Sequence, residues 1–109
     1  MNNLNSLILE GVVTEVTPIK EMPDGCKVGR FTLGVSRKYR TCGGYLAEEM
    51  SYFEVEGFDA VIQNPYLQKD NKCRVVGRLR QAKWYNNGHR ESKIVIIAEH
   101  LDFIPVSKK

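Results

Sequence analysis

Asn87-Gly88 stands between two strand-like runs, Cys73 to Tyr85 and Lys93 to Ile104, and no other feature of the chain narrows its fold so far. Both residues tolerate the positive φ of a two-residue type I′ turn, so the pair joins two antiparallel strands. Side chains alternate along a strand, which sets Val75, Leu79 and Tyr85 on one face of the first limb and Arg78, Arg80 and Trp84 on the other. The return limb carries Ile94, Val95, Ile96 and Ile97 in succession and is apolar on both faces. At 109 residues the chain is one domain with a single modest core. A strand buried on both sides in so small a protein predicts that another subunit covers its outer face.

The rest of the chain reads the same way. Leu7 to Val16 is an apolar, β-branched strand with Gly11 marking a bulge or sharp bend. "MPDG" (Met22 to Gly25) is a turn. Val28 to Tyr39 alternates, with Phe31, Leu33 and Val35 facing one way; Ser51 to Phe58 alternates with Phe53 and Val55 inward. "TCGGYLAEEM" between them is a loop. Asp59 to Gln68 predicts a short helix, capped by Asp59 and interrupted by Pro65. The expectation is an all-β, five-stranded OB-fold Greek-key barrel with one short helix between strands three and four. An SH3-like barrel is the rival, and the helix position favours the OB arrangement. Residues 1–105 form the domain, and 106–109 a short basic end.

Net charge is +3, but its distribution is more telling. Gly25 to Ala47 and Asn71 to Arg90 contain no Asp or Glu, and together hold eleven of the 16 Lys and Arg residues. A fold that unites these segments presents one strongly positive surface. No apolar run approaches the ~20 residues of a membrane helix. The N-terminus lacks the basic start and cleavage site of a signal peptide, so a cytoplasmic protein is expected. Cys26, Cys42 and Cys73 match neither a disulfide framework nor a zinc site.

Outward aromatics accompany the basic residues. Trp84 shares its face with Arg78 and Arg80, Tyr52 and Phe58 lie opposite their strand's apolar face, and Tyr39 sits within "SRKYR" beside Arg37 and Lys38. Unpaired bases stack on such rings while Arg and Lys follow the phosphates. Glu54 and Glu56 lie on the Tyr52 face and repel phosphate, which predicts a strand path past one end of that segment. The motifs of serine, metallo- and P-loop enzymes are absent, and His89 and His100 have no partner at metal-ligand spacing. Neither an enzyme nor a metal or nucleotide cofactor is expected.

These stretches resemble the bacterial single-stranded DNA-binding protein family along nearly the whole chain. "NSLILEGVV", "MPDGCKVGRFTLGVSRKY", "SYFEVEGF" and "YLQKDNKCRVVGRLRQAKW" resemble its successive strands, "GRLRQAKW" most specifically. The resemblance implies stacking positions at Tyr39, Tyr52, Phe58 and Trp84 and backbone contacts from Arg80 and Lys83. It also implies a homotetramer of OB domains, with a dimer as the alternative, and roles in replication, recombination and repair at the bacterial nucleoid. "DAVIQNP" departs from the family's Gly-Lys-x-Ala-Glu helix start, which predicts a shorter helix. The family's acidic tail, which recruits replication and repair proteins, has no counterpart in "IPVSKK". Either the tail is missing from this sequence or the protein is a tail-less relative. Two further readings stay open: a primosomal replication protein of related OB-fold, and an OB adaptor binding protein or structured RNA.

Overall fold

The computed structural model describes residues 2–104, so the basic end at 106–109 lies outside the described residues. The strands are β1 (Leu7–Val16), β2 (Lys20–Glu21), β3 (Lys27–Arg40), β4 (Leu46–Phe58), β5 (Lys72–Asn86) and β6 (His89–Ile104). Their order is β1-β5-β6-β4-β3-β2, and β1 also pairs with β3, which closes a barrel of the five long strands. β4 and β6 run parallel through Val55↔Ile96 and Glu56↔Ile97. The other pairings are antiparallel. This is the expected OB-fold.

β1 can serve two neighbours because it bends. Leu7 to Val12 pair with β5 and Val12 to Val16 with β3. Gly11 sits at the changeover, where a Cβ would strike the Gly34 carbonyl oxygen. The irregularity in the β1–β3 ladder follows it, between Val13 and Glu15. Inside the barrel, Val13, Phe31, Leu33, Val55, Cys73, Val75, Ile96, Ala98 and Leu101 form the core. Burial pushes the Cys73 thiol up to about 11, with Asp102 adding to the shift.

Four expectations need correction. The loop at Thr41 to Met50 is only a tight turn: Thr41 N–H donates to the Tyr45 carbonyl at 2.7 Å, and β4 has begun by Leu46. The helix shrinks to one 3-10 turn, Asp59–Val61. Asp59 does not cap it; its φ is 49°, and its carboxylate accepts the Lys27 N–H at 3.0 Å instead. Ile62 then drops over Gly29 and Gly57, and Pro65 prevents a further turn.

The third correction concerns Leu79, which alternation sets with Val75 on the core face yet which is exposed, as is Tyr85 beyond it. The β5–β6 hairpin runs on past the barrel, so its inner face loses the core it faced. The last concerns β6. Val95 and Ile97 point away from the core but are only 2% and 4% exposed within a single chain. Their same-face neighbours in register are Arg80, Arg78 and Glu56, whose hydrocarbon stems cover apolar surface. No second subunit is needed to bury them.

Both hairpins project from the barrel, consistent with a Cα radius of gyration of 16.4 Å; a compact chain of this length has about 13 Å. The type I′ turn is as expected, with φ of 52° at Asn87 and 83° at Gly88. No helix among the described residues is long and apolar enough to cross a membrane.

Candidate nucleic-acid interface

The ladder registers decide which side chains share the barrel's outer face. β3 and β4 pair without a slip from Val28↔Phe58 to Arg40↔Leu46. Phe58, Glu56, Glu54 and Tyr52 therefore project together, opposite Val55 and Phe53. Through Glu56↔Ile97 and Ile97↔Arg78, the same face continues onto Arg78, Arg80 and Trp84 of β5. Tyr52, Phe58 and Trp84 are 62%, 37% and 42% exposed, so each presents ring surface to solvent. Trp84 is therefore a surface residue of the hairpin, not a core residue.

Three expected members stand apart. Tyr39 pairs with Ala47, and Arg37 with Glu49, on the opposite face of the β3–β4 hairpin; Lys38 lies on the Tyr52 face. Lys83 alternates with Trp84 and faces away from it, although both line one shallow depression with Tyr85 and Arg90. Beyond the barrel both faces of a hairpin meet solvent, so neither placement buries these residues.

The carboxylates on the aromatic face are already paired. Glu56 is 4% exposed and accepts from Arg30 Nε at 2.9 Å and from Arg80 Nη2 at 3.3 Å. Glu54 pairs with Lys93 at 2.7 Å. Each carboxylate thus faces a cation, which weakens the repulsion behind the expected path past one end of this segment.

The two acid-free segments are not united into one positive surface. β3 and β5 are not neighbours, and they meet only where Arg30 and Arg80 share Glu56. Lys72 and Arg74 turn instead to Glu10, and Arg78 lies 3.8 Å from Glu99. Arg37, Lys38, Arg40, Lys83 and Arg90 make no ion pair among the described residues. Cations without an ion pair thus lie on the hairpins, where Glu49 and Glu48 stand across the ladder from Arg37 and Lys38, and two partly exposed guanidinium groups meet at the Arg30–Arg80 junction.

Sequence reading misses Arg30, and it takes Glu56 for a phosphate-repelling carboxylate and not for the partner of two arginines. Period-2 alternation puts Arg30 on an outward face, but its partner depends on the length of the turn at Thr41 to Tyr45. No group of three or more His, Cys, Asp or Glu side chains among the described residues could hold a metal ion.

An OB barrel whose outer face carries exposed rings beside guanidinium groups is the class that this fold and site define. The Single-strand binding protein family model matches residues 4–104. The single-stranded DNA-binding protein of Aquifex aeolicus is 33% identical over 93% of this chain and 70% of its own length. Its Helicobacter pylori counterpart is 30% identical over 92% of this chain, which spans 58% of that relative. Among solved structures, the Plasmodium falciparum SSB complex with ssDNA superposes with a TM-score of 0.84 at 26% identity, over 96% of this chain and 98% of the other. The wild-type single-stranded DNA binding protein of Thermus aquaticus, 23% identical with a TM-score of 0.79, covers 94% of this chain and 50% of its own and shares the fold. The chain belongs to the single-strand binding protein family.

Proposed function

We propose that the protein binds single-stranded DNA without reading its sequence. Bases stack on Trp84, Tyr52, Phe58 and Tyr39, while Arg80, Arg78, Lys83, Arg37 and Lys38 hold the phosphates. The observation that carries this reading is the set of exposed rings, Tyr52, Phe58 and Trp84, on one outer face with Arg80 among them. A ring plane accepts any base, and duplex DNA hides the base faces that it needs. Protection of exposed strands in replication, recombination and repair, in the cytoplasm, follows as the role.

Titration with poly-dT and with a duplex of equal length tests the binding. The expected result is a strong preference for poly-dT, with log affinity falling linearly in log salt by about 0.7 per phosphate neutralised. Equal affinity for the duplex would return the protein to the adaptor reading.

The protein also assembles with copies of itself in this proposal. Support comes from a largely apolar mouth of about 390 Å³, lined by Leu7, Leu9, Phe53, Leu79, Ile94 and Ile96 together with Tyr52 and Glu54. Leu79 and Ile94 are exposed there in the single chain. Sedimentation equilibrium is expected to give a tetramer or dimer, and Ile94→Glu to shift it toward monomer. A parent chain that is monomeric at tens of micromolar would refute assembly.

A further inference from the structure

Beside the aromatic face, the connection from β1 to β3 overhangs a cleft of about 500 Å³, lined in part by Lys20, Met22, Arg30, Glu56, Phe58 and Arg80. That volume suits a small organic ligand. Its walls are of two kinds. The Phe58 ring, the Met22 thioether, Pro18 and Val28 are apolar, and the cations Lys20, Arg30 and Arg80 accompany one buried carboxylate, Glu56.

The carboxylate is the informative group. Burying Glu56 carries a desolvation penalty that the two guanidinium groups offset. Only Nε of Arg30 and one Nη of Arg80 are committed to it. Each guanidinium has five N–H donors in a fixed fork, so most remain available. The two arginine side chains are 55% and 46% exposed, which leaves those donors open to the cleft and solvent. Arg30, Glu56 and Arg80 sum to one positive charge, and Lys20 adds a second.

We infer that this cleft seats one nucleotide of the bound strand, with its base against Phe58 and its phosphate between Arg30 and Arg80. Arg30 is then a phosphate contact in its own right. Glu56 is a positioning residue: it holds both forks in place before DNA arrives, so less side-chain freedom is lost on binding. The inference rests on the single-stranded DNA reading and adds to it a defined seat at one end of the aromatic face.

The test compares Arg30→Gln with the double variant Arg30→Gln/Glu56→Gln. The single variant removes one positive charge from the group; the double variant restores the parental sum but still lacks the Arg30 fork. Both retain polar side chains able to bond across the strand pair, and circular dichroism checks their folding. The double variant leaves no buried charge unpaired and serves should the single one unfold. If Arg30 holds a phosphate, both bind poly-dT about tenfold more weakly, and both lose about 0.7 from the salt slope. Parental affinity and slope in the double variant would mean that only summed charge mattered, and would overturn the seat. Parental behaviour in both would overturn it too, while leaving single-stranded binding intact. A parent that ignores poly-dT would fell the underlying reading as well. As a second readout, near-ultraviolet irradiation of bound oligo-dT carrying 5-iododeoxyuridine is expected to cross-link Met22 or Phe58. Cross-links confined to Trp84 and the tyrosines would place the strand elsewhere.

Discussion

Alanine at both Trp84 and Phe58 is expected to weaken poly-dT binding by about 2–6 kcal/mol, because each lost base–ring stack costs about 1–3 kcal/mol. The two losses should add. Trp84 pairs with Glu91, and Glu56, two residues from Phe58, pairs with Ile97. At about 3.3 Å per residue the span from Glu91 to Ile97 is roughly 20 Å, and Phe58 lies two residues further along the parallel β4, beyond the range at which neighbouring substitutions couple. Both rings are part-exposed on the outer face, so folding should change little; urea denaturation of the double variant checks that. Trp84 is the chain's single tryptophan, which separates the two sites optically. Phe58→Ala alone should keep the quenching of tryptophan fluorescence by poly-dT while lowering affinity. Near-parental affinity in the double variant would show that these rings are not stacking platforms.

What the sequence made legible was set by local rules. β1 runs from Leu7 to Val16 as its apolar pattern indicates, and Asn87-Gly88 turns as its φ preferences require. Trp84's outward position followed from alternation with Arg80 alone. The misreadings share a different origin. Leu46 to Met50 have weak strand character, with Glu48 and Glu49 adjacent, yet they pair with β3 because the ladder, once started, carries them. Val95 and Ile97 looked as though they needed a partner subunit, because their cover comes from residues far away in sequence. Asp59 looked like a cap because nothing local reveals that the Lys27 N–H would claim its carboxylate. The Arg30–Glu56–Arg80 group was hidden for the same reason. It joins three strands, and its existence depends on two registers and the β4–β6 parallel contact together.

Replacing Gly77 by alanine is expected to destabilise the barrel by about 3 kcal/mol or more, toward the upper end for added bulk in a packed site. Gly77 pairs with Leu7 of β1 on one side and Ala98 of β6 on the other, beside the register slip between Val76 and Gly77. A methyl group there would meet the Ile97 carbonyl oxygen, with the Ala98 Cα only 3.3 Å away. Both obstacles are backbone, so no rotamer change can relieve them, and the β5–β6 ladder must open where it also holds β1. Gly88→Ala is the control. Gly88 has φ of +83° but nothing within 4 Å of a built Cβ, so only backbone strain of about 1–2 kcal/mol applies. Urea midpoints read at equal slope separate the two. DNA binding by Gly77→Ala should track the folded fraction, since the substitution touches neither Phe58 nor Trp84. A Gly77→Ala midpoint as close to the parent as that of Gly88→Ala would mean that β5 and β6 can part at the slip without opening the barrel. The bulge would then be a tolerant joint, and closure through β1 and β3 would have to carry the stability assigned to it.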